Sequence, residues 1–347
     1  MLGVWLLAGL AVLALFLRLP GRIVLAMLGC LWLGLVLLLA LLPGSAAARA
    51  TGGTAPQWLV AGAVVALILL YRAALSRLRA KAPETPSLTK PVEDGPMSDE
   101  ELDRYARHLV LREIGGAGQM RLRDARVLIV GAGGLGAPVC LYLAAAGVGR
   151  ITLADDDTVS LSNLQRQVIF RSDQRGQPKA RAAAQAMSAL NRHVSVSPLL
   201  RRVTAEDVDL VSQHDLIIDG TDSFAARQAI NRACVGAGVP LIAGAIAQWE
   251  GQVTLYDPAR GGPCLGCLFP VAPAPGLAPA CAEAGVVGAL PGVIGSLMAL
   301  EAIKHLTGAG EGLRGRMLIF DGLYGETRMV RTQARADCDV CGSKISH

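Results

Sequence analysis

A short apolar run that leads into a glycine-rich turn lies near the middle of the chain. The run is Val127–Val130, and the turn is Gly131-Ala132-Gly133-Gly134-Leu135-Gly136. In such a turn the first glycine permits a tight bend, the second lets phosphate approach the backbone, and the last lets a helix pack on the strand. The pattern predicts a strand, a phosphate-binding turn lined by Gly131, Gly133, Gly134 and Gly136, and a helix.

Strand and helix patterns alternate from Arg126 onwards. The predicted strands are 127–131, 150–155, 194–199, 215–219 and 240–244, and the predicted helices are 135–147, 178–191, 204–212 and 223–237. Alternation of this kind produces a mostly parallel sheet with helices on both faces. After Ala247 the pattern changes to strands at 250–256, 316–321 and 326–331 and a helix at 288–307. We therefore predict an α/β fold, a Rossmann-like sheet with mixed C-terminal strands.

Acidic residues close the second predicted strand. Asp155 lies where a ribose hydroxyl binds in folds of this kind, and Asp156 and Asp157 follow it. A solvated acidic turn is the alternative for one of the three. Asp155 and Asp157 are predicted to contact the nucleotide.

Two cations follow, Arg166 and Lys179. Arginine offers a bidentate fork to phosphate oxygens and lysine a point charge, and Asn163 and Gln167 can add neutral hydrogen bonds. Exposed surface positions are the alternative for both cations, but Pro178 at a helix start favours a position near the nucleotide. Two cations favour a triphosphate, and hence ATP and nucleotidyl transfer over hydride transfer.

The fourth predicted strand ends in Asp219-Gly220-Thr221-Asp222. Ligands of open α/β sheets bind beyond the carboxyl ends of the strands, so Asp222 is placed to hold Mg²⁺ on a triphosphate. A helix N-cap is the alternative role for Asp222.

Two CxxC pairs supply four thiols: Cys264 and Cys267, then Cys338 and Cys341. Four thiolates make a closed tetrahedral site, which predicts a structural, non-catalytic Zn²⁺ that fastens the C-terminal segment to the domain. Cys281 lies alone in a segment rich in proline, alanine and glycine. It is either a nucleophile or an unreactive loop cysteine.

The N-terminal residues are mostly apolar. Hydrophobic residues make up 52% of the chain, and the excess is concentrated here. Helices are predicted at 2–17, 23–42 and 55–75, and a bilayer core of ~30 Å takes ~20 apolar residues in a helix. The first run is short and has a signal peptide as its alternative. We expect transmembrane helices in residues 1–76, ahead of the sheet.

Basic residues set the expected orientation. Arg18 and Arg22 lie in the first connection, and a basic cluster follows the third run from Arg72. By the positive-inside rule both face the cytoplasm, which predicts a multi-pass protein of the inner/cytoplasmic membrane with its catalytic domain in the cytoplasm. Residues 77–97 read as a linker. No basic stripe with interleaved aromatic residues is present, so no nucleic-acid partner is expected.

Several motifs in a fixed order resemble one known family. They are Arg104-Tyr105-Ala106-Arg107-His108, the glycine turn, Ser160-Leu161-Ser162-Asn163-Leu164-Gln165-Arg166-Gln167, Gly176-Gln177-Pro178-Lys179, Thr221-Asp222 and both CxxC pairs. From about Ser98 to Gly342 the chain resembles the MoeB/ThiF/HesA group, relatives of the ubiquitin-activating enzymes. The corresponding domain is predicted at 98–347.

The resemblance implies ATP-dependent adenylation of the C-terminal glycine of a ubiquitin-like sulfur-carrier protein ending in Gly-Gly, with release of pyrophosphate. It also implies a homodimer. No rhodanese-like domain follows Cys341, so we expect a separate protein as the sulfur donor. By position, Asp155 would hold ribose, Asp222 would hold Mg²⁺, and Arg107 would reach the partner subunit's ATP. The phosphates would be held by Asn163, Arg166 and Lys179. Cys281 aligns with a loop cysteine that links covalently to the carrier in some members, and Ser223 stands where asparagine is common.

Three other functions remain as alternatives. A tRNA threonylcarbamoyladenosine dehydratase-like enzyme on the same fold is disfavoured by the paired CxxC motifs and the absence of a basic stripe. A nicotinamide-dependent oxidoreductase leaves Arg166, Lys179 and the cysteine pairs without a role. A non-catalytic membrane scaffold is disfavoured by the presence of Arg107, Arg166, Lys179 and Asp222, although Ser223 leaves it open.

Overall fold

The computed structural model describes residues 2–16, 21–81, 95–271 and 285–342, and the chain divides into two units. The first unit comprises Met1–Pro86 and the second Ser87–His347.

The described part of the first unit is helical. Its helices are α1 (Leu2–Phe16), α2 (Gly21–Leu41), α3 (Ala46–Thr51) and α4 (Ala55–Lys81). Trp58 donates its indole N–H to the carbonyl of Gly52 at 2.9 Å, and Trp32 donates to the carbonyl of Trp58 at 3.1 Å. A small apolar core surrounds these contacts and includes Leu35, Val36, Leu39, Ala48 and Trp58.

The expectation of transmembrane helices is wrong for this region. Within the described residues, no helix combines the length and the apolar character that crossing a membrane demands. α1 has 15 residues and thus rises about 23 Å, less than a bilayer core, and α4 contains four basic residues. Apolar residues of α2 are buried against Trp58. The predicted spans at 2–17, 23–42 and 55–75 and the multi-pass location in the inner/cytoplasmic membrane are corrected accordingly.

The second unit is built on one eight-stranded sheet, in the part of the chain that is described. Its order is β3-β2-β1-β4-β5-β6-β7-β8. The strands are β1 (Arg126–Val130), β2 (Arg150–Ala154), β3 (Ser195–Leu199), β4 (Leu216–Asp219), β5 (Leu241–Ala247), β6 (Glu250–Tyr256), β7 (Arg316–Asp321) and β8 (Glu326–Arg331). Strands β1 to β5 run parallel, and β6, β7 and β8 add to the edge in antiparallel pairs. This agrees with the predicted Rossmann-like sheet with mixed C-terminal strands.

Helices cover both faces of this sheet. The α-helices described in this unit are α5 (Asp99–Arg104), α6 (Ala106–Leu109), α7 (Gly115–Asp124), α8 (Gly136–Ala146), α9 (Lys179–Leu190), α10 (Val208–Ser212), α11 (Phe224–Ala237), α12 (Leu265–Leu268) and α13 (Leu290–Thr307). One core lies between the sheet and α8, α9 and α13, and a second lies between the sheet and α10 and α11. Because both faces are covered, β4 is buried at every residue, as is typical of parallel strands.

In the second unit, two elements differ from their predicted limits by more than two residues. The helix predicted at 204–212 begins only at Val208, because the Asp207 side chain accepts the backbone N–H of Thr204 at 2.7 Å and closes a turn there. β5 runs on to Ala247 because its end pairs with the start of β6, at Glu250.

The strand order creates a switch point between β1 and β4. The chain leaves β1 towards β2 on one side and later returns to form β4 on the other. Ligands in open α/β sheets bind at such a point, beyond the carboxyl ends of the strands. The glycine turn follows β1 there, and the turn from Asp219 follows β4.

Candidate active site

The glycine turn is interlocked with the turn after β4. Gly131 has a φ of +92°, and a Cβ atom on it would lie 3.1 Å from the carbonyl carbon of Gly220. A Cβ on Gly136 would lie 1.8 Å from the Gly131 oxygen, so a larger residue cannot be accommodated. Beside Gly133, by contrast, the nearest atom to such a Cβ is Nε2 of Gln167 at 3.7 Å. The turn is therefore packed tightly at Gly131 and Gly136 and less tightly at Gly133, three residues before α8 begins.

Asp155 holds this turn in place. Its Oδ2 accepts the N–H of Ala132 at 2.7 Å, and its Oδ1 accepts the N–H of Asp157 at 2.8 Å. The sequence predicted a contact between Asp155 and ribose. Each carboxylate oxygen has a second lone pair, so the two backbone bonds leave acceptor capacity for a hydroxyl.

Lys179 is buried and paired. It is 4% exposed, and its Nζ donates to Oδ2 of Asp157 at 2.9 Å. Its own N–H, at the first residue of α9, donates to the carbonyl of Asp157 at 2.9 Å. The Asp157 side chain remains 67% exposed. A buried ammonium group requires a partner, and here the partner faces solvent, where a ligand can compete with it.

The predicted phosphate-binding segment lies against the glycine turn. Arg166 donates to Oδ1 of Asn163 at 3.0 Å, and its Cγ would lie 3.6 Å from a Cβ on Gly134. Gln167 is 4% exposed, and its Oε1 accepts no hydrogen bond from any residue that the structure describes. The structure thus brings Asn163, Arg166 and Gln167 together beside the turn.

The two residues after Thr221 differ in their contacts. Ser223 accepts the N–H of Ala226 at 3.2 Å and is the N-cap of α11. The Asp222 side chain is exposed and hydrogen-bonds to none of the described residues. The capping role that the sequence left open for Asp222 is therefore filled by Ser223, and both oxygens of Asp222 are available to a cation.

Three acidic residues of the site raise the pKa of the same arginine, Arg202. The pKa of Arg202 is raised mainly by its hydrogen bond to Asp156, at 2.8 Å, and also by Asp157 and Asp222. Asp157 and Asp222 thus both act on the charge of Arg202, although the two are far apart in sequence.

The segment that contains Arg107 is fixed through its neighbours. The Tyr105 hydroxyl accepts from Nδ2 of Asn191 at 2.8 Å, and His108 Nδ1 lies 2.9 Å from Oε1 of Gln119. Burial raises the pKa of Tyr105. Arg107 itself is exposed, with no hydrogen bond or ion pair within the described chain. The sequence did not identify Asn191 or Gln119, because their partners lie far away along the chain.

The four cysteines of the CxxC pairs form one buried cluster. Their sulfur atoms lie within 4.8 Å of one another, with the closest contacts at 3.8 Å (Cys264 to Cys267), 3.7 Å (Cys264 to Cys338) and 3.4 Å (Cys267 to Cys341). A tetrahedron of sulfurs ~2.3 Å from a central Zn²⁺ has edges of about 3.8 Å, whereas a disulfide bond is ~2.05 Å. The spacing therefore fits a metal. Cys281 lies outside the described residues.

The fold and these sites define a nucleotide-binding α/β domain with a four-cysteine metal cluster. Residues 105–340 match the model of the ThiF family. The chain belongs to the ThiF family.

Named relatives agree with this assignment. The chain is 47% identical over 243 residues to the SAMP-activating enzyme E1 of Haloferax volcanii, covering 70% of this chain and 89% of that protein. It is 46% identical over 250 residues to the sulfur carrier protein adenylyltransferase of Thermus thermophilus, covering 71% and 92%. These relatives confirm the prediction of an adenylyltransferase that activates a ubiquitin-like sulfur carrier.

A solved structure supports the fold. E. coli MccB in complex with MccA-N7isoASN superimposes with a TM-score of 0.61 at 25% identity, covering 69% of this chain and 74% of that one.

Proposed function

We propose that this chain uses ATP to adenylate the C-terminal glycine of a ubiquitin-like sulfur-carrier protein and releases pyrophosphate. The carrier's terminal carboxylate oxygen attacks the α-phosphorus, a new C–O–P linkage forms, and the bond between the α-phosphorus and its bridging oxygen breaks. The products are the carrier's acyl adenylate and pyrophosphate. The chain is an adenylyltransferase, as its relatives are named.

The observation that supports the residue assignments is that Arg166 lies beside the glycine turn and that Lys179 is linked to the turn by hydrogen bonds through Asp157 and Asp155. Arg166 packs beside Gly134, and Lys179 is buried within reach of Asp157, whose backbone is tied through Asp155 to Ala132. The turn at Gly131, Gly133, Gly134 and Gly136 would cradle phosphate, and Arg166 and Lys179 would balance the charge that develops as pyrophosphate leaves. Asn163 and Gln167 would hydrogen-bond phosphate oxygens, and Asp155 the ribose.

Two metal ions fit the donors present. Asp222 would hold Mg²⁺ on the triphosphate, where the ion neutralises charge on the leaving group, since both of its oxygens face solvent. The cluster of Cys264, Cys267, Cys338 and Cys341 would hold a structural Zn²⁺. A closed set of four thiolates leaves no open position for substrate.

The active enzyme is proposed to be a homodimer with its domain at 98–347. An exposed Arg107 on a segment fixed by Tyr105 and His108 is suited to reach the ATP of a second subunit. Cys281 would link to the carrier, and Ser223 would lie at the edge of the nucleotide site.

Pyrophosphate exchange tests this function directly. The full chain is incubated with Mg²⁺, ATP, labelled pyrophosphate and candidate carriers that end in Gly-Gly, with a carrier lacking its last glycine as the control. Label should enter ATP only with an intact carrier. Binding of ATP without exchange, for every intact carrier that is tested, would contradict the proposal.

A further inference from the structure

Asp219, the last residue of β4, has an unusual environment for a carboxylate. It is completely buried, and its Oδ1 accepts two hydrogen bonds from Thr221, from the N–H at 2.8 Å and from the hydroxyl at 2.7 Å. Its Oδ2 is buried without a hydrogen-bond partner among the residues described. Burial raises the pKa of this carboxyl. A polar group in such a place costs free energy, so a buried carboxylate here calls for a compensating role.

The contacts of Asp219 converge on one residue. Thr221 donates two hydrogen bonds to Asp219. Its carbonyl accepts from Arg227 of α11, through Nε at 3.2 Å and a terminal nitrogen at 2.7 Å. The donor, hydroxyl and carbonyl groups of Thr221 are therefore all engaged. The next residue is Asp222, whose side chain is exposed.

The turn at 219–222 is also held in a fixed position next to the glycine turn. Gly220 donates its N–H to the carbonyl of Val130 at 2.9 Å, and a Cβ on Gly220 would lie 3.0 Å from the backbone nitrogen of Gly136. The residue before Thr221 is thus fixed relative to the start of α8. When Thr221 is held in place too, the direction in which Asp222 leaves the turn is also determined.

We propose that Asp219 is a positioning residue, which holds Thr221 so that the Asp222 carboxylate faces a divalent cation bound with the triphosphate. This inference rests on the proposed function, because it concerns the same site. Asp219 itself touches neither the nucleotide nor the cation. It acts through two hydrogen bonds that a side-chain amide oxygen can also accept.

Metal binding without a carrier tests the inference. Mn²⁺ is titrated into the full chain with the α,β-methylene analogue of ATP, and free Mn²⁺ is followed by electron paramagnetic resonance. Asp219→Leu should weaken Mn²⁺ binding by about tenfold or more, whereas Asp219→Asn should stay within about threefold of wild type, because its Oδ1 accepts both bonds. Thr221→Val should weaken binding, and Thr221→Ser should not.

Asp215→Leu is the matched structural control. Asp215 lies at the opposite end of β4, where its Oδ2 accepts the N–H of Arg126 at 2.7 Å. That variant should lower the melting temperature and leave Mn²⁺ affinity unchanged. If Asp219→Leu does not fold, as judged by circular dichroism, Thr221→Val decides the question.

Three results would overturn the inference: wild-type Mn²⁺ affinity in a folded Asp219→Leu variant, wild-type affinity in Thr221→Val, or no Mn²⁺ binding by the wild-type chain with the analogue. Failure of pyrophosphate exchange with every carrier, beside normal Mn²⁺ binding, would count against the proposed function alone. The two failures are thereby distinguishable.

Discussion

The cysteine cluster differs in construction from the nucleotide edge, by which we mean the glycine turn, the turn at 219–222 and the charged residues Asp157, Arg166 and Lys179. In the cluster, four buried sulfur atoms face one another and their side chains are at most 6% exposed. At the nucleotide edge the backbone is interlocked, as at Gly131 and Gly220, but the charged groups pair with one another and several face solvent. A closed donor set suits a permanent ion, and a rigid backbone with exposed, exchangeable charges suits a ligand that enters and leaves.

The cysteine cluster should give the largest effect. Cys267→Ser should remove the zinc and unfold the second unit, because structural Zn²⁺ contributes ~10–16 kcal/mol in small domains while whole proteins are stable by only ~5–15 kcal/mol. Zinc content by atomic absorption and thermal unfolding measure this. Cys140→Ser is the control, since Cys140 is buried on α8 away from the cluster. If the Cys267→Ser chain has the same zinc content and the same melting temperature as the wild-type chain, the cluster is not a metal site.

At the nucleotide edge, Lys179→Ala should lower the rate of pyrophosphate exchange by about 10²–10³-fold, the usual consequence of removing one group that stabilises a transition state. The fold should persist, because Asp157 then faces solvent without its partner and keeps its hydration. Lys304→Ala is the control, because Lys304 pairs with Glu301 on α13. Equal losses in both variants would assign the effect to charge or folding rather than to the site.

Much of the fold follows from local pattern, and the glycine turn illustrates why. Val127–Val130 is a continuous apolar run, and Gly131 and Gly136 stand where the backbone needs φ above zero or contact without a side chain. Such requirements can be recognised from a few consecutive residues of the sequence. The strands 250–256, 316–321 and 326–331 match their predicted limits for the same reason.

The assignments that sequence left open or missed depend on contacts between distant residues. The sequence predicted a nucleotide contact for Asp157 but not its ion pair with Lys179, because that pair forms only when the segment between them folds back. The membrane spans were predicted from composition, which does not record that Leu35, Val36 and Leu39 of the second run form a small core with Trp58. The role proposed for Asp219 rests on contacts that only the structure reveals, although its place at the end of a buried strand was a usable signal.

Asp157 tests whether the pairing at the nucleotide edge matters for binding or only for packing. Asp157→Asn should change ATP affinity by about tenfold or less, since the amide still accepts from Lys179 but the ion pair is lost. Equilibrium dialysis with ATP measures the change. Asp156→Asn is the matched control, because the neighbouring Asp156 pairs with the exposed Arg202 instead. If the two variants bind ATP equally, the ion pair with Lys179 has no part in nucleotide binding.

Ser223 gives the smallest expected effect and the sharpest test of where the nucleotide edge ends. Its hydroxyl caps α11, so Ser223→Ala should lower the free energy of unfolding by about 1 kcal/mol, and Ser223→Asn, another good N-cap, should restore it. Urea unfolding measures this, and ATP affinity is measured on the same samples. A hydroxyl that only caps leaves ATP affinity within about threefold of wild type. If Ser223→Ala instead lowers ATP affinity tenfold and leaves the free energy of unfolding unchanged, Ser223 contacts the nucleotide directly. The nucleotide edge would then extend from Asp222 into the first turn of α11.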